Sequence, residues 1–220
     1  MTIPLKIAPS ILSADFANLA REVTYIDKAG ADYIHIDVMD GSFVSNITIG
    51  PAVIKSLRPH SKTTFDTHLM INNPAKHIQA FADAGSDIIT IHQEAENNLP
   101  EIISQIKSLG KKAGVSIKPE TDPEVLNDIF NEIDLILVMT VNPGFGGQRF
   151  LDSQLPKIAK ICEKINNSGR EIDLEVDGGI NPQTAKLAKD AGANVLVAGS
   201  AIFAGDPKQY QENIANIRNS

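Results

Sequence analysis

A histidine and an aspartate two residues apart, His35 and Asp37, lie inside the apolar run Tyr33-Ile34-His35-Ile36-Asp37-Val38-Met39, which closes on Asp40-Gly41. Side chains alternate faces along a strand, so Tyr33, His35, Asp37 and Met39 share one face while Ile34, Ile36 and Val38 pack on the other. An imidazole and a carboxylate near the end of a buried strand make a metal-ligand pair or an acid/base pair. The plainer alternative is a core histidine hydrogen-bonded to a nearby aspartate. Similar residues end other apolar runs: Ser10, His68 with Met70, His92, Met139 and Asp177. Together His35, Asp37, His68 and Asp177 offer mixed nitrogen and oxygen donors. Such a set suits one divalent transition ion, Zn²⁺ first, with Fe²⁺, Mn²⁺ or Co²⁺ as alternatives.

Three methionines, Met39, Met70 and Met139, sit beside these polar residues; gap-filling core is the ordinary role for each. Around a charged intermediate, their thioethers would exclude water and strengthen electrostatic contacts. A second motif, Asn142-Pro143-Gly144-Phe145-Gly146-Gly147-Gln148, precedes a helical pattern. Its glycines let backbone N–H groups approach an anion. Asp177-Gly178-Gly179 and Gly199-Ser200 repeat that theme on the next two runs, which points to a phosphate site. Glu175 shares the face of Asp177 and needs a partner if it points inward, so a structural hydrogen-bonding role is expected. His92 is expected to support its neighbours or to pack, with substrate contact as the alternative. His60 and His77 read as solvated.

The elements that must position these residues alternate. Strands are expected at Leu5–Pro9, Tyr33–Gly41, Thr64–Met70, Ile88–His92, Ala113–Ile117, Leu135–Val141, Ile172–Val176 and Val195–Ala198. Between them, Ser13 or Asp15 opens a helix whose buried face carries Phe16, Leu19, Ala20, Val23 and Ile26. Further helices are expected over Pro51–Leu57, Pro74–Ala84, Leu99–Leu109, Pro123–Phe130, Leu151–Ile165, Pro182–Ala191 and Pro207–Ile217. The stripe Leu151, Leu155, Ile158, Cys162, Ile165 makes Cys162 a core residue. Ala29-Gly30-Ala31-Asp32, Ala84-Gly85-Ser86-Asp87 and Ala191-Gly192-Ala193-Asn194 each end a helix and launch a strand. Eight such units without a Pro/Ser-rich linker indicate an α/β fold, a (β/α)₈ TIM barrel spanning residues 1–220 as a single domain. An open doubly wound sheet is the alternative, but it would gather its site at one switch point.

The chain has 220 residues, 42% hydrophobic and 21% charged, with a net charge of −7. No basic block is present, so a nucleic-acid partner is not expected. One cysteine excludes an intrachain disulfide and fits a reducing compartment. No run approaches the ~18 apolar residues of a membrane span, and the N-terminus lacks a signal-like core, so a cytoplasmic protein without membrane contact is expected.

In order, the chain carries Ala8-Pro9-Ser10-Ile11-Leu12-Ser13-Ala14-Asp15-Phe16, His35-Ile36-Asp37-Val38-Met39-Asp40-Gly41, Asn46-Ile47-Thr48-Ile49-Gly50-Pro51 and His68-Leu69-Met70. Then come Met139-Thr140-Val141 with the glycine-rich loop to Gln148, Val176-Asp177-Gly178-Gly179-Ile180 and Ala198-Gly199-Ser200-Ala201-Ile202-Phe203. Nearly end to end, it resembles the ribulose-phosphate 3-epimerase family of the pentose-phosphate pathway. The resemblance implies metal-dependent interconversion of D-ribulose 5-phosphate and D-xylulose 5-phosphate through a cis-enediolate. It implies that His35, Asp37, His68 and Asp177 bind the metal, with Asp37 and Asp177 doubling as the acid/base pair. It also implies that Ser10 and His68 contact the sugar, that Gly144, Phe145, Gly146, Gly147, Asp177, Gly178, Gly179, Gly199 and Ser200 form the substrate and phosphate loops, and that Met39, Met70 and Met139 line the site. Ser42 and Ser45 stand where the family usually has His and Pro, and Lys118 where Asn is common; none is a matched catalytic position. A homo-oligomer acting on a small sugar phosphate is expected. The alternatives are an epimerase for a ketohexose phosphate such as allulose 6-phosphate, a barrel synthase or aldolase for which only Lys118 offers a catalytic lysine, and a non-catalytic sugar-phosphate binder.

Overall fold

The computed structural model describes residues 4–96 and 98–220. Strands β1 (Lys6–Pro9), β2 (Tyr33–Met39), β3 (Thr64–Met70), β4 (Ile88–His92), β5 (Lys112–Ile117), β6 (Leu135–Met139), β7 (Asp173–Asp177) and β8 (Val195–Ala198) form one parallel sheet. Its order is β1-β8-β7-β6-β5-β4-β3-β2, and a parallel bridge between Ser10 and His35 joins β1 to β2. The wall therefore meets itself, as expected of a (β/α)₈ barrel. Helices α1 (Leu19–Lys28), α2 (Pro51–Leu57), α3 (Ile78–Ala84), α4 (Leu99–Ser108), α5 (Leu155–Ser168), α6 (Pro182–Asp190), α7 (Ser200–Phe203) and α8 (Tyr210–Asn219) pack outside it.

Period-two alternation divides every strand between two environments. In β2, Ile34, Ile36 and Val38 face the helices within the main apolar layer. The opposite face points to the axis, and there the residues climb in tiers. Lys6, Tyr33 and Asp173 lie near the strand starts, His35, Asp66 and Glu175 in the middle, and Asp37, His68 and Asp177 at the strand ends. Register sets the tiers, because His35 pairs with Asp66 and Asp37 with His68 on the neighbouring strand.

Local departures from the expected elements have identifiable causes. The first helix is split: Asp15, not Ser13, caps a 3-10 turn at Phe16–Asn18, and α1 begins only at Leu19. Phe16 consequently lies 45% exposed rather than on the buried face. Between β5 and β6 the segment Pro123–Phe130 forms a 3-10 turn over Pro123–Leu126 followed by plain turns, not an α-helix. Asn127, Asp128 and Asn131 are poor helix formers, which disfavours propagation beyond the first turn. In α5 the buried stripe is Ile158, Ile161 and Ile165. Cys162 is half-buried at its edge, against Gly192, where a Cβ would meet its Sγ at 2.3 Å. The helices expected from Pro74, Leu151 and Pro207 likewise begin with 3-10 turns before α3, α5 and α8.

A polar plug closes the bottom of the barrel. Asp173 accepts hydrogen bonds from Lys6 Nζ at 2.7 Å, Tyr33 Oη at 2.7 Å and Asn194 Nδ2 at 2.8 Å. Burial pushes the Asp173 carboxyl up, but these three donors together hold it below its ordinary range. A carboxylate depressed in the folded state contributes stability above its unfolded pKa of about 3.9, and that contribution is lost as pH falls through the folded value. Asp173→Ala is expected to cost about 3 kcal/mol at neutral pH by leaving a half-buried ammonium unpaired. In urea titrations the difference from the unaltered protein should shrink below about pH 4; a pH-independent difference would exclude the ionic origin.

Candidate active site

The strands deliver the side chains of the site, Asp37, His68, His92 and Asp177 from at or near their ends and His35 from one tier below. His35, His68 and His92 are fully buried, Asp37 is 3% exposed, and the Asp177 side chain is 18% exposed at the cavity floor. His35 Nδ1 donates to Asp66 Oδ2 at 2.6 Å, which leaves Nε2 aimed at Asp37 Oδ1, 3.4 Å away, without a hydrogen bond. His68 Nδ1 lies 3.3 Å from the same Asp37 oxygen and 4.0 Å from Asp177 Oδ2. Ser10 Oγ donates to the other Asp37 oxygen at 2.5 Å. The backbone of Asp37 is fixed as well, since Thr48 Oγ1 donates to its carbonyl at 2.6 Å. Thr140 Oγ1 does the same for the Asp177 carbonyl at 2.9 Å.

One ligand atom from each of His35, Asp37, His68 and Asp177 falls within 4.8 Å of all the others. Three observations fit a divalent cation here. The donors are mixed nitrogen and oxygen. A buried imidazole nitrogen, His35 Nε2, has no hydrogen-bond partner. The contact from Asp66 to its other nitrogen is the carboxylate–histidine arrangement that orients metal-binding imidazoles. Electrostatics agree. Burial alone would lower the His35 pKa, yet the charges of Asp37 and Asp66 raise it well above the ordinary value. The same field that draws a proton to the imidazole draws a cation.

The two upper aspartates are pushed apart. Burial raises Asp37, but His35 and then His68 more than reverse this and hold it far below the usual carboxylate range. Burial, with the negative charge of Asp37 beside it, raises Asp177 to about 6. One carboxylate is therefore held ionised while its neighbour takes up a proton far more readily, the asymmetry an acid/base pair needs.

Above this floor opens a cavity of about 390 Å³. Ser10, Asp37, Asp177 and all three methionines line it, together with the loops Gly144–Gly147, Asp177–Gly179 and Gly199–Ser200. His35 and His68 lie beneath the lining, with Asp37 between them and the cavity. Met39 and Met70 pack with Val44, and Met139 with Leu137 and Val197. Gln148 Nε2 pins the glycine-rich loop by donating to the carbonyls of Asn142 and Phe145. Glycine is required at two points. A Cβ on Gly178, whose φ is +124°, would fall 2.5 Å from Val141 Cγ2, and one on Gly199 would meet Ser13 Oγ at 2.4 Å.

Other residues fall outside the cavity. Lys118 does not line it, and its Nζ lies 4.1 Å from the centre of the Phe43 ring, which leaves no lysine poised for imine chemistry there. Glu175 is fully buried on the axis, held well above the ordinary carboxylate range by burial and by Asp66. Asp66 and Glu94, which contacts His92, were not singled out by the sequence. The available signal was spacing: Asp66-Thr67-His68 and His92-Gln93-Glu94 repeat the His-x-Asp interval of β2 in reversed or parallel form.

Fold and site together define a (β/α)₈ barrel with a buried His/Asp cluster that could hold a divalent cation, below a glycine-lined cavity. Solved structures share the fold at low identity. The orotidine 5′-phosphate decarboxylase from Pyrococcus horikoshii OT3 superposes with a TM-score of 0.68 at 15% identity, covering 97% of this chain and 99% of that one. The N-(5′-phosphoribosyl)anthranilate isomerase from Pyrococcus furiosus gives 0.67 at 16%, covering 98% and 100%. Sequence comparison is far more specific. Residues 6–203 match the ribulose-phosphate 3 epimerase family. The chain is 50% identical over 217 residues to the ribulose-phosphate 3-epimerase of Bacillus subtilis (strain 168), covering 98% of this chain and 99% of that protein. It is 48% identical over 222 residues to the enzyme of the same name from Synechocystis sp., covering 100% and 96%. The chain belongs to the ribulose-phosphate 3-epimerase family.

Gly178→Ala is expected to destabilise the fold by about 1–3 kcal/mol through forced backbone strain and to weaken inorganic phosphate binding in calorimetry. Phosphate binding unchanged from the unaltered protein would remove this loop from the anion site.

Proposed function

We propose that the chain interconverts D-ribulose 5-phosphate and D-xylulose 5-phosphate by moving a proton at C3, residues 1–220 acting as one catalytic domain. The observation that carries this reading is the pair Asp37 and Asp177. They come from strands separated around the wall by β1 and β8, they converge within 4.8 Å, and their proton affinities are driven in opposite directions. Membership of the family supplies the substrate class.

The C3 proton of the ketose is acidic because it lies α to the C2 carbonyl. Asp37, ionised and held by Ser10, takes that proton from one face. Asp177, whose raised proton affinity suits it to carry a proton of its own, delivers that proton to C3 from the other face, and the roles exchange in the reverse direction. The planar cis-enediolate between the two transfers is shielded from water by Met39, Met70 and Met139. The phosphate rests against the Gly144–Gly147, Gly178–Gly179 and Gly199–Ser200 loops, far enough from C3 to fix orientation without entering the chemistry. Ser10 holds the Asp37 oxygen as well as contacting the sugar, and His68, the other sugar contact implied by the family resemblance, lies buried beneath Asp37 rather than in the cavity lining. A divalent ion held by His35, Asp37, His68 and Asp177 supplies, when bound, Lewis acidity that stabilises developing negative charge on the sugar oxygens.

Zn²⁺ is the first choice for this nitrogen/oxygen set, ahead of Fe²⁺, Mn²⁺ and Co²⁺. Among the described residues no helix is long and apolar enough to cross a membrane. A cytoplasmic setting remains the expectation, supported by the lone cysteine; a homo-oligomer is expected from the resemblance alone.

Asp177→Asn is expected to fold as the unaltered protein does and to retain at most a few per cent of its turnover of ribulose 5-phosphate. Higher activity would remove Asp177 from the acid/base role. Dialysis against a chelator should abolish turnover, and one equivalent of divalent ion per chain should restore it. Activity indifferent to chelation would contradict the cation reading. Faster turnover of a hexulose 6-phosphate than of the pentulose would reassign the substrate.

A further inference from the structure

A second chain of polar groups leaves the cluster from the far side of His68, and the proton transfers above use none of it. His68 Nε2 lies 2.8 Å from His92 Nε2, and His92 Nδ1 lies 3.1 Å from Glu94 Oε2. The second Glu94 oxygen accepts the backbone N–H of Lys118 at 2.8 Å and the hydroxyl of Thr121. Both imidazoles are fully buried, with ring centroids 4.9 Å apart. Phe43 covers His92 at 4.9 Å. The relay thus runs from the site out to the β5–β6 connection, where Lys157 Nζ donates to the carbonyls of Lys118 and Pro119.

We propose that His92 and Glu94 are positioning residues that hold the His68 proton on Nε2, so that Nδ1 presents a bare lone pair toward Asp37 and Asp177 for the divalent cation. The inference rests on the reading of His68 as a cation ligand.

The direction of each bond follows from the outer end inward. A backbone N–H can only donate and an ionised carboxylate can only accept, so Glu94 demands a proton on His92 Nδ1. Burial pushes the Glu94 carboxyl up, yet its bonds from His92, Thr121 and Lys118 pull it down to about 2, which keeps it ionised. A neutral His92 with its proton on Nδ1 has only a lone pair at Nε2. Two Nε2 atoms at 2.8 Å need one hydrogen between them, and His68 must supply it. Neutral His68 then carries no proton on Nδ1. The reverse arrangement would set a bare His92 nitrogen against a carboxylate oxygen at 3.1 Å with no cation site between them, an uncompensated repulsion. The bare His68 Nδ1, 3.3 Å from Asp37 Oδ1, belongs to the four-donor cluster, where a divalent cation would offset the same repulsion. Hydrogen-bond partners commonly select the tautomer of metal-binding histidines in this way; here the partner is a second histidine, and the carboxylate acts through it.

Glu94→Gln tests the relay. A glutamine keeps a single acceptor oxygen, which the Lys118 N–H claims, and its NH₂ then faces His92 Nδ1. The proton on His92 should move to Nε2, and the chain should run backwards. In ¹⁵N-imidazole NMR, the unaltered protein is expected to show His92 protonated at Nδ1 and the variant at Nε2. Zn²⁺ affinity, read by competition with a chromophoric chelator, should fall about 10–100-fold in the variant. A variant that keeps both the original tautomer and the original affinity overturns the relay. The unaltered protein provides a test that does not depend on the variant folding, since a proton on His92 Nε2 in its spectrum also overturns it. Failure of the unaltered protein to bind Zn²⁺, Fe²⁺, Mn²⁺ or Co²⁺ would instead overturn the cluster on which the inference rests.

Discussion

Negative charge on the axis of an apolar barrel is the constraint from which the rest of the structure follows. Asp37, Asp66, Glu175 and Asp177 all point inward, where an uncompensated carboxylate costs several kcal/mol or more. Each is accommodated differently. Asp66 takes the Nδ1 hydrogen of His35, and Glu175 keeps its own proton. Asp37 is compensated by two imidazoles and the Ser10 hydroxyl, and Asp177 meets the cavity with a raised proton affinity. The remaining demand for positive charge falls at one point, among four donor atoms, a set that could hold a divalent cation.

A parallel barrel is suited to meet such a demand because it brings residues distant in sequence to a common height. Register does the work: pairing His35 with Asp66 sets Asp37 beside His68, and pairing Met139 with Asp177 completes the opposite wall. The bottom of the barrel carries a different ionic group, Lys6 with Tyr33 and Asp173, which closes the axis and leaves chemistry to the top. Stability and function are thus separated along one direction of the same strands. Loops after β6, β7 and β8 line the cavity to one side of the His/Asp cluster, so a sugar phosphate spanning both would be oriented at two points.

Most of this architecture was legible in the residues. The alternation in Tyr33–Met39 located β2 and its inward set, and glycines ending helices at Gly30, Gly85 and Gly192 marked the repeat. All three of those glycines adopt positive φ. The sequence misled where a local preference opposed the periodic pattern. Phe16 fits a helical stripe, but the Asp15 cap starts a 3-10 turn that turns it outward. Pro123–Phe130 has apolar spacing, yet it forms only a 3-10 turn after β5, in keeping with the low helix propensity of its Asn and Asp residues. Asp66 and Glu94 escaped notice for another reason. The His-x-Asp interval could flag both residues, but their roles depend on which nitrogen of a neighbouring histidine they engage, and that interval does not encode it.

Two acids on opposing walls, rather than one acid that swings, make up the central claim. It is tested most directly by running the unaltered enzyme in deuterated water and analysing the first xylulose 5-phosphate formed from unlabelled ribulose 5-phosphate. The account requires that product to carry deuterium at C3 while the remaining substrate does not, because the hydrogen delivered comes from a different carboxyl than the one that accepted the original. Product that keeps the substrate's own hydrogen would mean that a single group carries the proton across, and the arrangement of Asp37 against Asp177 would have no part in the inversion.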